Sequence, residues 1–81
     1  MKVDVKLFAV ARELAGCDRV TVELADCANV ADLRNGLAIA IPGLAPLLPQ
    51  IMFAVNSDYA SDTTPIPPGA DIACIPPVSG G

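Results

Sequence analysis

An α+β fold is predicted for this chain: a mixed sheet of about five strands around one main helix, followed by an extended C-terminal tail. Three observations carry it. Short stretches alternate apolar and polar residues at the period of a strand; Val30 to Ile41 repeats apolar residues at spacings of three and four; the ending Pro76-Pro77-Val78-Ser79-Gly80-Gly81 suits neither pattern. At 81 residues the chain is one domain, and a hydrophobic content of 53% is enough to fill a core of that size.

The first strand is read over Lys2 to Ala9, with Val3, Val5, Leu7 and Ala9 inward and Lys2, Asp4, Lys6 and Phe8 outward. Val10 to Ala15 are mostly helix formers closed by Gly16, which predicts a short helical turn. Val20 to Leu24 alternates again and pairs with the first strand as an antiparallel hairpin with a wide connection. Asn29 and Asp32 have the spacing of a capping box ahead of Val30, Leu33, Leu37 and Ile41, so the main helix is read over Val30 to Ile41 and stops at Pro42-Gly43. Gly36 inside it costs about 1 kcal/mol against alanine, which means either that a neighbour packs close there or that the helix is locally weak.

Leu44 to Pro49 reads as a proline-punctuated connection with room for one more helical turn. Ile51 to Asn56 is apolar on both faces, as in an interior strand covered on both sides. Ser57 to Gly69 is a run of turns with a short strand near Tyr59, and Pro68-Gly69 makes a tight turn into a last strand over Ala70 to Ile75, with Ile72 and Cys74 inward and Asp71, Ala73 and Ile75 outward. The order strand, strand, helix, strand, short strand, strand is that of a β-grasp domain. Residues 1–75 are assigned to it and residues 76–81 to a flexible tail, because Pro76 and Pro77 cannot donate hydrogen bonds to a sheet.

Composition removes several classes of function. A net charge of −4 without a basic stripe argues against nucleic acid as a partner. Cys17, Cys27 and Cys74 lack the spacing of metal-ligand pairs and there is no histidine, so no metal site or bound cofactor is expected. The same lack of a histidine base argues against a cysteine-nucleophile enzyme. The apolar stretch from Gly36 to Leu48 is too short for a bilayer and is broken by prolines, and the start of the chain carries charges at every second residue, unlike a secretory signal. A cytoplasmic protein with no membrane partner is the expectation.

The tail is where chemistry is expected. Pro76-Pro77 is a stiff spacer, Val78 and Ser79 extend it, and Gly80-Gly81 removes every side chain from the tip. Six extended residues reach on the order of 20 Å, enough to enter a buried site on another protein. The Gly81 carboxylate is a poor electrophile until a partner activates it, for which ATP is the natural reagent: an acyl-adenylate replaces an oxide leaving group with AMP. Presentation is then this chain's own contribution.

Leu7-Phe8-Ala9 with Arg12-Glu13-Leu14 and Gly16, then Ala54-Val55-Asn56, and above all Ile75-Pro76-Pro77-Val78-Ser79-Gly80-Gly81, resemble the small, sulfur-carrying subunit of molybdopterin synthase, a ubiquitin-like β-grasp family. The resemblance covers the whole chain. It implies that Gly81 is adenylated by a ubiquitin-activating-type adenylyltransferase using ATP, converted to a thiocarboxylate by a sulfur donor enzyme, and inserted into the large subunit of the synthase. There the sulfur passes to cyclic pyranopterin monophosphate, within a heterotetramer whose catalytic residues belong to the large subunit. Many members of that family have an Asp-Gly-Asp-like turn before the last strand, where this chain has Pro68-Gly69-Ala70-Asp71.

Strand alternation adds a docking surface. Phe8 and Ile75 are large apolar residues on an otherwise polar outward face, which marks a partner-binding patch. The resemblance adds Tyr59 to it, and Arg12 is a candidate to pair with the large subunit, the other reading being an ordinary solvated arginine. Two other carriers end in the same way: a sulfur carrier for thiamine-thiazole synthesis and a ubiquitin-like protein modifier. Pro-Pro-Val-Ser and the longer chain favour the molybdopterin reading.

Overall fold

The computed structural model describes residues 1–77. Its elements run β1 (Lys2–Leu7), α1 (Ala9–Ala15), β2 (Arg19–Glu23), α2 (Val30–Ala40), two short 3₁₀ turns (Pro42–Leu44 and Leu48–Gln50), β3 (Met52–Val55), β4 (Asp58–Ala60) and β5 (Ile72–Ile75). The five strands form one sheet in the order β2-β1-β5-β3-β4. β1 is parallel to β5 and antiparallel to β2, while β3 is antiparallel to both β5 and β4. This is the mixed β-grasp sheet that the element order predicts.

Period-two patterning decides which face is buried. Val3, Val5 and Leu7 of β1, Val22 of β2, Phe53 and Val55 of β3, and Ile72 and Cys74 of β5 turn inward and meet Val30, Leu33 and Leu37 of α2. The capping box at the start of α2 is formed: Asp32 N–H donates to Asn29 Oδ1 at 2.9 Å, and Asn29 N–H donates to Asp32 Oδ2 at 3.0 Å. Arg34, in the same helix, ties the far end of the sheet to the loops. It donates to the carbonyls of Leu48 and Ile51, pairs with Asp62 at 2.8 Å and lies 4.9 Å from the Phe53 ring centroid.

Gly36 marks a close approach. A Cβ placed there would meet Val22 Cγ1 at 2.9 Å and Leu24 Cδ2 at 3.2 Å, so the glycine lets α2 lie down on β2. Gly36→Ala is therefore expected to destabilise the domain by about 1 kcal/mol, because overpacking against a stiff β-branched side chain (~1–3 kcal/mol) outweighs the ~1 kcal/mol gain in helix propensity. The check is the urea midpoint. A raised midpoint would mean that Val22 and Leu24 yield without strain.

Several boundaries differ from the sequence expectation. β1 ends at Leu7, and Ala9 is exposed rather than inward, because its φ of 53° turns the chain from the strand into α1. Gly16 caps α1 with φ 75°, its N–H donating to the Arg12 carbonyl. β2 lies one residue earlier than predicted, with Leu24 buried just beyond it, and α2 ends at Ala40 with Ile41 as its cap. One helical turn was expected after α2 and two 3₁₀ turns are found, each with a proline in its first turn. β3 joins β4 through Asn56 and Ser57, both at positive φ, as a two-residue hairpin of the strands' own twist requires. β5 begins at Ile72 rather than Ala70. Pro76, assigned to the tail, is buried, and Pro77 is exposed, so packing continues one residue past the last strand.

Candidate functional site

Among the described residues no helix covers the outer face of the sheet, and its register sorts the exposed side chains into rows. At one end lie Thr21, Asp4 and Asp71; Thr21 donates its hydroxyl to Asp4 Oδ1 at 2.7 Å, and Asp71 N–H donates to Asn56 Oδ1 at 3.0 Å. The middle row runs Arg19, Lys6, Ala73, Ala54, Tyr59 across all five strands. At the other end Ile75 stands opposite Met52, and Phe8 comes next to Ile75, because Leu7 is in register with Cys74 and the Phe8 N–H donates to the Cys74 carbonyl at 3.3 Å. The face thus grades from polar to apolar.

Phe8, Met52 and Tyr59 are 47%, 52% and 68% exposed, and Ile75 is half-buried. Phe8 lies outside β1, at the N-cap of α1, yet its extended backbone (φ −119°, ψ 153°) keeps it on the outer side as alternation predicts. Tyr59, on the edge strand β4, stands opposite Ala54, so the pair extends the apolar end towards that edge. Arg12 is exposed on α1 and shares a cleft of about 210 Å³ with Phe8, Lys6, Leu7, Asp18 and Arg19. The structure therefore brings Phe8, Arg12 and Ile75 to one end of the face, with Tyr59 at its β4 edge.

Met52 is the member of the patch that the sequence did not single out. Ile51 to Asn56 was read as covered on both faces, but within the chain only the Phe53 and Val55 side is covered by α2, and Met52 is open on the other. Alternation identified the two faces of the strand; what covers the second one is not encoded within the strand itself.

β5 is the central strand, flanked by β1 and β3, and it leads directly into Pro76 and Pro77. Phe8, Ile75 and Met52 consequently surround the root of the tail. Val78, Ser79, Gly80 and Gly81 lie outside the described residues. Cys17 and Cys27 are exposed, whereas Cys74 is fully buried and its thiol is pushed up to about 11 by burial, with Arg34 pulling partly the other way. Cys74 is thus a protonated core residue at neutral pH rather than a nucleophile. Among the described residues no group of three or more His, Cys, Asp or Glu is arranged to hold a metal, and no helix is long and apolar enough to cross a membrane.

A β-grasp sheet whose central strand feeds a diproline-diglycine ending, with apolar residues around its root, defines a class: the ubiquitin-like carriers. The chain belongs to the ThiS family, whose model matches residues 5–81. It is 37% identical over its full length to the molybdopterin synthase sulfur carrier subunit of Chlamydomonas reinhardtii, all of which is covered. Among solved structures it resembles SAMP1 from Haloferax volcanii, with a TM-score of 0.88, 30% identity and full coverage of both chains. A second structure, of the H. volcanii small archaeal modifier protein 1, has a TM-score of 0.85 at 28% identity, covering 95% of this chain and 98% of that one. The family is the one that the ending and the Leu7-Phe8-Ala9 region resemble.

Proposed function

We propose that the chain is the sulfur carrier subunit of molybdopterin synthase. Its Gly81 carboxylate is adenylated by an ATP-using, ubiquitin-activating-type enzyme and converted to a thiocarboxylate by a sulfur donor. It then gives that sulfur to cyclic pyranopterin monophosphate in the active site of the large subunit. The observation that carries the reading is the position of the root of the tail: the central strand runs into Pro76 and Pro77 at the apolar end of the outer face, so a partner seated on Phe8, Ile75 and Met52 meets the chain where the tail begins. Full-length similarity to a sulfur carrier subunit supports the same reading.

The division of labour follows from the chemistry. Activation exchanges a leaving group that cannot depart for one that can, and the sulfur nucleophile then displaces AMP to leave a thiocarboxylate. The carrier tethers that group to its docking face, so that attack within the complex is effectively unimolecular. Nothing in this scheme needs a titrating side chain on the carrier.

Reconstitution tests it. Thiocarboxylated chain, the large subunit and cyclic pyranopterin monophosphate are expected to yield the dithiolene of molybdopterin, and carboxylate-ended chain is expected to yield none. A correctly docked complex that forms no dithiolene would move the assignment to the thiamine-thiazole carrier or to the protein modifier. The likeness to a small archaeal modifier protein favours a second reading, attachment of Gly81 to lysines of other proteins. Incubation with ATP, an activating enzyme and a sulfur donor separates the two, since a modifier gives lysine-linked adducts and a sulfur carrier gives a thiocarboxylate.

A further inference from the structure

The chain has five cationic side chains against nine acidic ones, yet two of the five face each other. On the outer face of the β1–β2 hairpin, Lys2 stands opposite Glu23, Asp4 opposite Thr21 and Lys6 opposite Arg19. The first pair is of opposite charge and the second is hydrogen-bonded, whereas the third places like charges directly across from one another. Leu7 N–H donates to the Asp18 carbonyl, which makes the next pair, Lys6 and Arg19, a non-hydrogen-bonded one, where side chains lie closest. Such a pairing weakens a hairpin.

Among the described residues no carboxylate forms an ion pair with Lys6 or Arg19. The ion pairs there are the N-terminus with Asp26 and Arg34 with Asp62. β5 sets Ala73 beside Lys6. Asp4 and Asp71 share a neighbouring hollow with Lys6 and Arg19, but neither reaches ion-pairing distance. On the other side, Lys6 and Arg19 join Arg12 in the cleft beside Phe8, which holds three cations against the single carboxylate of Asp18.

We infer that this cleft is an electrostatic socket continuous with the apolar docking patch, and that its occupant is a carboxylate-bearing segment of the partner protein. The inference rests on the functional reading above, which makes that partner the large subunit. Charge complementarity argues for it: a net-negative carrier that collects cations beside an apolar docking edge selects a partner whose apolar contact is flanked by acidic side chains. The like-charged pair is then relieved only in the complex.

The test is the double variant Lys6→Gln/Arg19→Gln, measured for stability alone and for binding to the large subunit over a range of salt concentrations. Alone, it is expected to melt higher by about 1–5 °C, because the cross-strand repulsion is gone. In the complex it is expected to bind roughly tenfold more weakly, with a shallower salt dependence. Lys6→Arg, which keeps the charge, is expected to bind as the wild type does. If the wild type binds and the double variant binds equally at every salt concentration, the functional reading stands and the socket is wrong. A double variant that melts lower also overturns it, since the cations would then serve the fold. If the wild-type chain does not bind the large subunit at all, the functional reading falls and takes the named occupant with it.

Discussion

A chain lacking Gly81 is expected to lose sulfur delivery by at least about 10³-fold while keeping its fold and its affinity for the large subunit. The magnitude follows from what the tail contributes. Holding a reactive group in position is worth an effective concentration on the order of 10⁵–10⁸ M, and removing one residue withdraws the reacting carbon by about 3.3 Å and replaces it with the Gly80 carboxyl. A displacement of even about 1 Å costs on the order of 10²-fold in positioned reactions. The core lies mainly in residues of the sheet and α2, and the proposed docking patch in Phe8, Met52, Tyr59 and Ile75, so neither includes Gly81. Single-turnover dithiolene formation and a binding isotherm on the same preparation check the two halves together. Retained delivery would sink the carrier mechanism, and lost binding would mean that the terminus anchors the complex instead of reacting in it.

The parts of this architecture that could be read from sequence are those written in local periodicity. The inward set Val3, Val5, Leu7 and the helix positions Val30, Leu33 and Leu37 are all buried, because one element's pattern is enough to choose its buried face. The Asn29–Asp32 capping box was legible for the same reason: both partners lie within one turn. Ala9 is misassigned by sequence because the alternating pattern runs on for two residues past Leu7, the last residue of β1, and the positive φ of Ala9 that turns the chain leaves no mark on that pattern. Gly36 left two readings open until β2 was seen against α2, and Met52 was hidden because the lack of a second covering layer is a property of the whole fold. The opposition of Lys6 and Arg19 depends on strand register, which thirteen positions of intervening sequence separation do not reveal.

The second large effect is expected at the residue that periodicity missed. Met52→Asp should weaken binding to the large subunit by about 2–4 kcal/mol, roughly 30- to 1000-fold, with little change in the stability of the free chain. In the free protein the Met52 side chain is half in water, so a carboxylate there keeps most of its hydration. In the complex it would be trapped between Ile75 and the partner's apolar surface beside the root of the tail, where an unpaired charge is desolvated with no donor to receive it. Phe8→Asp should act in the same direction but less strongly, because the cations of Lys6, Arg12 and Arg19 line the adjoining cleft and offer the new carboxylate a partner. The ordering of the two is the discriminating measurement. Equal losses would mean that the partner covers both positions without regard to the cations, and no loss at Met52 would place the docking surface elsewhere on the sheet, leaving the tail without a fixed point from which to deliver sulfur.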